Sequence, residues 1–371
     1  MTENVTKIIK PRVNKYDNLK GLGILLIVFG HCLYGLPGIA ATIRQGIYIF
    51  HLPLFFFVAG YFSRIRPDII EKSTKRLLIP YIVLSIISFL FCIPAYTTGT
   101  LFFNPYGGLW FLLSLYSMKL LLPILNKLKH PVIITFIIAL LVGFIKINGE
   151  ILFTTRTFSF LPIFMLGFKF NQYKPKFEEK LANLKLKNLI TNTKFLIIIL
   201  FVLFGASMVI GNYITQELVE MAHAYDVSNI LTSFEMRFLI IIIGILTTLV
   251  LNELMTNNET FLTKFGRNSL AVYLLHILMS NLQFLAQNKT GFINSSSGNL
   301  FMWILFSLAS SFVITFVLSR DPVTRVMNQV FDSATDIITA VCVEIKRPLE
   351  NNSVCLKLSN YILNIYHNYY L

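Results

Sequence analysis

Two histidines lie inside apolar stretches of this sequence, where an ionisable side chain is costly to place. His31 falls within the stretch that runs from Leu22 to Leu36, and His51 falls eight residues after Ile43 in the next one. A polar group in the middle of a bilayer needs a partner or contact with water. Each imidazole is therefore a candidate for a functional site. The alternative is a neutral histidine that is hydrogen-bonded within a helix bundle.

The two imidazoles fall at nearly the same predicted depth in a membrane. At about 1.5 Å per residue, His31 lies roughly 16 Å beyond Lys20, which stands at the entrance of the first helix. By the same measure His51 lies about 12 Å inside the second helix, so both are near the middle of a core about 30 Å thick. A neutral imidazole accepts a proton near neutral pH. The pair therefore predicts a general base that deprotonates a hydroxyl group. The sequence contains no G-x-S-x-G motif, which would have indicated a route through a covalent serine intermediate.

Basic residues cluster just before the third apolar stretch, which begins at Leu77. They are Lys72, Lys75 and Arg76, and Arg64 and Arg66 precede them as reserve candidates. Such charges are explained by membrane topology alone. They also suit an anion site, because fixed cations beside the mouth of a helix bundle bind phosphates.

On the other side of the predicted bundle, an aromatic residue and charged residues begin three of the apolar stretches. Trp110 begins the fourth, Arg156 the sixth, and Glu235 the eighth. An aromatic plate beside a cation suits a sugar, whereas the alternative for Trp110 is an anchor at the membrane interface. Glu235 is placed either to pair with Arg237 or to orient a catalytic histidine.

Composition and charge predict a membrane protein that is all-α, a polytopic bundle of about ten transmembrane helices. The 371 residues are 55% hydrophobic and 13% charged, against about 25% charged in soluble domains. The predicted spans are 19–36, 43–62, 77–95, 107–125, 131–148, 155–170, 194–213, 231–252, 269–286 and 299–319. Basic residues cluster in alternate loops, which places both termini in the cytoplasm. That alternation argues against nucleic acid as the reason for the net charge of +14.

This topology divides the chain into a cytoplasmic N-terminal segment (1–18), a transmembrane domain (19–319) and a cytoplasmic C-terminal tail (320–371). Asp17, with Asn18, is expected to cap the first helix. The four cysteines show no spacing typical of a metal site, so we predict neither a metal nor a bound cofactor.

Six stretches of the sequence are similar in type and order to a known family: YDNLKGLGILLIVFGH, IFHLPLFFFVAGYF, KRLLIPY, GGLWFLLSL, FSFLPIFMLGF and FGRNSLAVYLLH. They resemble the membrane acyltransferase family 3, and within it the fucose 4-O-acetylase-like branch. The resemblance covers Tyr16 to about Leu318. It implies that His31 is the family's essential first-helix histidine and that Lys20 holds a basic position where arginine is usual. It also implies that Tyr273 and His276 form a final Y-x-x-H motif, to which we assign a packing or mouth-lining role.

The resemblance implies an integral O-acyltransferase of the plasma membrane, in contact with lipid and not with nucleic acid. It implies an acyl-CoA donor, acetyl-CoA first, with Lys20, Lys72, Lys75 and Arg76 at the donor. The acceptor is a sugar of a surface glycan or lipid-linked glycan, with Trp110, Arg156 and Glu235 beside it. His31 and His51 are the expected catalytic residues. The alternatives are a transporter of a lipid-linked glycan, for which we find no duplicated halves, and a non-catalytic membrane scaffold.

Overall fold

The structure is a computed structural model, and it describes residues 13–90, 107–145, 151–182, 191–277, 279 and 297–349. Within these ranges every regular element is a helix and there is no strand. The all-α prediction is thereby confirmed.

The helices of the first half of the chain are α1 (Asn14–Cys32), α2 (Ile39–Phe62), α3 (Ile69–Ser73), α4 (Ile79–Leu90), α5 (Trp110–Asn126), α6 (Pro131–Leu141) and α7 (Thr154–Ala182). Those of the second half are α8 (Thr193–Tyr213), α9 (Gln216–Val219), α10 (Ile230–Leu254), α11 (Phe261–Arg267), α12 (269–277), α13 (Ser297–Leu318) and α14 (Asp321–Leu349). A π-helical turn, Thr74–Leu78, joins α3 to α4, and short 3₁₀ turns occupy Gly107–Leu109, Val142–Phe144, Ile151–Phe153 and Val227–Asn229.

Four described segments are long and apolar enough to cross a membrane: Ile39–Phe62, Thr193–Tyr213, Val227–Leu254 and Leu300–Leu318. Two further apolar segments, Trp110–Asn126 and Pro131–Phe144, are shorter. These segments support a membrane protein. The count of about ten spans, the cytoplasmic termini and the division at residues 18 and 319 stay predictions, and parts of several predicted spans lie outside the described residues.

Helix α2 lies at the centre of the bundle and packs against α1, α7, α8 and α10. Its approach to α7 is close because glycines face the neighbouring backbone. A Cβ atom at Gly60 would overlap the carbonyl of Phe164, and one at Gly167 would overlap the carbonyl of Phe57. Small residues at helix contacts allow the backbones to approach when lipid supplies no hydrophobic driving force. The α2–α7 contact therefore depends on two glycines.

The beginning of α1 is held by α11 through a buried asparagine. The Asn18 amide donates to the carbonyls of Thr256 and Asn258, both at 2.9 Å. Its oxygen accepts from the hydroxyls of Thr260 at 2.8 Å and Thr263 at 2.5 Å. The hydrogen bonds of the Asn18 side chain are therefore made to residues far away in the sequence, not to its own helix.

The expected cap at Asp17 is therefore wrong. Helix α1 begins at Asn14, its N-cap position is Val13, and no side chain caps it. Asp17 lies inside the helix, where its carboxylate is 2.9 Å from the Lys20 ammonium and 3.9 Å from Arg267. Tertiary partners have replaced the local capping bond.

The first part of the predicted tail is helical. α14 follows α13 after two residues and packs against α4, with Met327 and Phe331 buried. The rest of the tail, from 350 onward, lies outside the described residues.

We predict that Gly60→Ala destabilises the protein by about 1–3 kcal/mol, because the new Cβ forces α2 and α7 apart. Thermal unfolding of the purified protein in detergent, followed by size-exclusion chromatography, measures the change. Gly205→Ala is the matched control, since a Cβ there has nothing within 4 Å. Equal transition temperatures for the two variants would contradict the role assigned to this contact.

Candidate active site

Three imidazoles share one cavity of about 220 Å³ near the end of the bundle at which α5 and α7 begin. We call it the histidine cavity. It is lined by Ile27, His31, Tyr48, His51, Leu52, Gly108, Trp110, Arg156, Glu220, Tyr273 and His276.

The imidazoles come from three helices and surround one space. His31 is on α1, His51 on α2 and His276 on α12. The ring centroids of His31 and His276 are 5.0 Å apart, and the Tyr48 ring lies 5.9 Å from His31 and 5.0 Å from His51. The structure thus places the two histidines of similar predicted depth in one site. It adds His276, to which the sequence analysis assigned only packing or mouth-lining.

Hydrogen bonds to backbone carbonyls fix the tautomers of two of these rings. Nδ1 of His51 is 2.9 Å from the carbonyl oxygen of Ile47, and Nδ1 of His276 is 2.7 Å from that of Tyr273. A carbonyl oxygen only accepts, so Nδ1 carries the proton in both neutral rings and Nε2 keeps its lone pair. Nε2 of His276 is buried with no partner among the described residues. Both rings therefore offer a proton acceptor at Nε2.

An ion pair supported by an aromatic ring also lines the histidine cavity. The Arg156 guanidinium lies 4.8 Å from the centroid of Trp110, and Nη2 is 3.4 Å from the Glu220 carboxylate. Trp110 is 5% exposed and also stacks on Phe160 at 6.1 Å. The tryptophan is thus enclosed, which does not fit an anchor at the interface. Its ring supports Arg156, so the groups placed to bind a hydroxyl here are Arg156 and Glu220.

Glu235 is not among the residues that line the histidine cavity, and its side chain is exposed on α10. The expected pairing with Arg237 is replaced by other contacts. Arg237 is fully buried and donates to the hydroxyl of Ser159 at 2.9 Å and to the carbonyl of His223 at 2.7 Å. This placement does not support an acceptor role for Glu235.

A second cavity, of about 360 Å³, lies at the other end of the bundle and is lined by all of the predicted basic cluster except Lys75. We call it the basic cavity. It is lined by Phe62, Ser63, Arg64, Arg66, Asp68, Ile69, Lys72, Ser73, Arg76, Leu77, Lys119 and Leu270.

Some cations of the predicted cluster line the basic cavity and one does not. Arg64, Arg66 and Arg76 line it, and so does Lys72, which forms an ion pair with Asp68. The hydrogen bond from Lys72 lowers the pKa of the Asp68 carboxyl, so the carboxylate form is favoured. Lys75 is not among the lining residues, because it pairs with Glu71 one helical turn earlier at 2.8 Å. Lys75 therefore lies outside the basic cavity, whereas the two reserve arginines, Arg64 and Arg66, line it.

An apolar cavity of about 210 Å³ lies between the other two. It shares Phe62, Lys119 and Leu270 with the basic cavity, and it shares Ile27, Leu52 and Tyr273 with the histidine cavity. Lys20 also lines it. The three cavities therefore form a row along the bundle, with cations at one end and imidazoles at the other.

Lys119 is a residue of this row that the sequence analysis missed. It lies on α5 and lines both the basic and the apolar cavity. It has no carboxylate partner among the described residues. Its position in the middle of an apolar stretch was the one feature of the sequence that could have identified it as a candidate site residue.

Comparison with known proteins gives one match. The family model Acyl_transf_3, described as an acyltransferase domain, matches residues 13–320. No curated protein and no solved structure matches the chain. The match confirms the resemblance inferred from the six sequence stretches, and it supports the enzyme over the transporter and the scaffold.

We predict that Lys119→Met raises the unfolding temperature of the ligand-free protein, because it removes a largely buried cation that lacks a carboxylate partner among the described residues. Thermal unfolding in detergent without donor measures the change. Lys129→Met, in the exposed turn before α6, is the control and should leave the temperature nearly unchanged. A lower unfolding temperature for Lys119→Met would indicate that the ammonium stabilises the fold.

Proposed function

The chain belongs to the acyltransferase 3 family and is an acyltransferase, and from this premise we propose its reaction. It transfers an acyl group, acetyl first, from acyl-CoA in the cytoplasm to a hydroxyl of a sugar. The sugar belongs to a cell-surface polysaccharide or to its lipid-linked precursor, and the enzyme resides in the plasma membrane. The observation that carries this proposal is the row of three cavities.

The row matches the parts of the donor in their chemical order. The phosphates of coenzyme A require cations, and the basic cavity offers Arg64, Arg66 and Arg76. The long, thin arm that follows the nucleotide suits the apolar cavity, with Lys119 where the two cavities meet. The thioester at the end of the arm then reaches the histidine cavity. This order supports entry of the donor from the basic end, which is the cytoplasmic side of the predicted topology.

The acceptor hydroxyl enters from the opposite end, beside Arg156 and Glu220. One imidazole, assigned to His31, takes the proton of that hydroxyl as its oxygen attacks the thioester carbon. The carbon–sulfur bond then breaks, an ester forms, and the sulfur of coenzyme A leaves as a thiol after receiving the proton. In the net reaction the acyl group moves from sulfur to oxygen, and one proton moves from oxygen to sulfur.

A neighbouring hydroxyl is placed to stabilise the charge that develops during this attack. The Tyr48 hydroxyl is buried between His31 and His51 and has no partner among the described residues. A buried donor without a partner is available to the oxyanion of a tetrahedral intermediate. Tyr48 is accordingly the group we assign to the thioester oxygen.

We predict that Arg76→Ala raises the apparent KM for acetyl-CoA about tenfold, because a charge-assisted hydrogen bond to phosphate is lost. Steady-state release of coenzyme A from the purified enzyme measures it. Lys75→Ala is the control, since the adjacent lysine pairs with Glu71 and does not line the basic cavity. An unchanged KM for Arg76→Ala would return the cluster to a role in topology alone, and an equal rise in KM for Lys75→Ala would contradict the selective role assigned to Arg76.

We predict that His31→Gln lowers the rate of acyl transfer by about two to four orders of magnitude, the usual cost of removing a general base. The protein should reach its normal level in the membrane, because glutamine is polar and similar in volume. Mass spectrometry of the acylated glycan and thiol release measure the rate. His51→Gln and His276→Gln should cost less if these rings only position groups.

The wild-type rate should rise as pH increases through the imidazole range, since a base must be unprotonated to act. A His31→Gln enzyme with a near wild-type rate would exclude the proposed mechanism.

A further inference from the structure

A larger cavity with a mixed polar and apolar lining lies near the same end of the bundle as Arg156, but it shares no lining residue with the histidine cavity. Its volume is about 610 Å³, compared with about 220 Å³ for the histidine cavity. We call it the polar groove. Its polar lining residues are Thr215, His223, Asp226, Asn229, Thr232 and Ser233, and the rest of its lining is Tyr213, Ile214, Leu218, Ala224 and Met236.

A short segment, residues 220–226, forms the wall between the polar groove and the histidine cavity. Glu220 lines the histidine cavity, and His223 and Asp226 line the groove. Met221 and Ala222 between them are buried, and Met221 has a positive φ of 57°. Strained backbone of this kind persists where the surroundings hold it, and such positions cluster at functional sites. The groove residues His223 and Asp226 are thus only a few positions along the chain from Glu220, which pairs with Arg156.

The wall is held in place from its buried side. Arg237 donates to the His223 carbonyl at 2.7 Å, and its guanidinium lies 4.8 Å from the centroid of the Tyr225 ring. The Tyr225 amide donates to the carbonyl of Gly143 and its hydroxyl to the carbonyl of Leu140, both at 2.7 Å. The groove is therefore built before any ligand arrives, which reduces the entropic cost of binding.

The lining of the groove suits a neutral, hydroxyl-rich ring. Hydroxyl, amide and imidazole groups both donate and accept hydrogen bonds, as the hydroxyls of a sugar do. The Tyr213 ring is 82% exposed at the edge of the groove and offers a flat face for the C–H side of a pyranose. Asp226 uses Oδ1 for two bonds to Ser228, and these bonds lower its pKa. The resulting carboxylate disfavours an anionic ligand such as a phosphorylated headgroup.

The size of the histidine cavity gives an independent reason for a second site. Pockets that hold whole small ligands usually measure about 300–1,000 Å³. At about 220 Å³ the histidine cavity has space for the reacting groups only, and the remainder of an oligosaccharide must lie outside it.

We propose that the polar groove is a subsite for a further sugar residue of the acceptor glycan. A sugar bound there presents its neighbour in the chain to the histidine cavity across the wall at 220–226. The enzyme accordingly prefers an oligosaccharide acceptor to a monosaccharide. This inference rests on the proposed function, because it concerns the acceptor of the same reaction.

The test uses the full-length protein in lipid nanodiscs and an array of neutral trisaccharides with their matching monosaccharides. The array carries glucose, galactose, mannose, fucose and N-acetylglucosamine series. We expect wild-type protein to bind at least one trisaccharide about tenfold more tightly than its monosaccharide, which corresponds to one or two good contacts. Tyr213→Ala and Asp226→Asn should each remove about tenfold of that affinity.

Val227→Ala is the matched control, because Val227 is 78% exposed, follows Asp226 directly and does not line the groove. It should bind as wild type does. The proposal is overturned if wild-type protein binds no trisaccharide in preference to its monosaccharide, or if the two groove variants bind as tightly as Val227→Ala.

A parallel measurement separates this proposal from the proposed function. Release of coenzyme A from acetyl-CoA, with water as acceptor, reports the donor half of the reaction and should be unchanged in Tyr213→Ala and Asp226→Asn. Release that depends on His31, without preference for trisaccharides, would overturn the subsite and leave the acyltransferase mechanism standing. Preferential binding of trisaccharides without any release of coenzyme A would support the subsite and contradict the acyltransferase mechanism.

Discussion

The close approach of α2 to its neighbours is the constraint on which the rest of the structure depends. Lipid gives helices no hydrophobic reason to associate, so their contacts rely on packing and on polar groups. Gly60 and Gly167 bring α2 against the backbone of α7, and Gly244 brings α10 against Pro53. Because α2 carries Tyr48, His51 and Leu52, these contacts also set the walls of the histidine cavity. A small outward shift of α2 would move His51 and Tyr48 away from His31 and His276, which lie on α1 and α12.

The cations of the protein separate into two groups according to what supports them. Some have fixed internal partners, as Lys75 has in Glu71 and Arg156 has in Glu220 and the Trp110 ring. Lys72 and Arg156 are paired in this way and still line cavities, whereas the cavity-lining Arg76 and Lys119 have no carboxylate partner among the described residues. A cation without such a partner is the one that an anionic donor can neutralise. In the proposed reaction, donor binding is therefore expected at a few of the many basic residues.

Much of the fold could be predicted from the sequence, because apolar runs and their lengths are local properties. The common depth of His31 and His51 followed from residue counting on two consecutive helices, and the structure places both in one cavity. His276 was expected only in a packing or mouth-lining role, and Glu220 and Lys119 were not predicted at all, because the positions of these residues depend on how α12, a loop and α5 pack against distant parts of the chain. Local rules also failed where tertiary partners compete: the pattern around Asp17 favours a cap, but the network around Asn18 fixes that turn differently.

The arrangement of tautomers explains why three imidazoles serve the proposed reaction better than one. The proton has to travel from an acceptor oxygen that enters at one end of the bundle to a sulfur that enters from the other. His51 and His276 each give Nδ1–H to their own helix, so each can receive a proton only at Nε2. His31 lies 5.0 Å from the ring of His276 and has no such bond to a carbonyl among the described residues. Its ring is therefore the one whose proton can change nitrogen, so it can take a proton on one side and release it on the other.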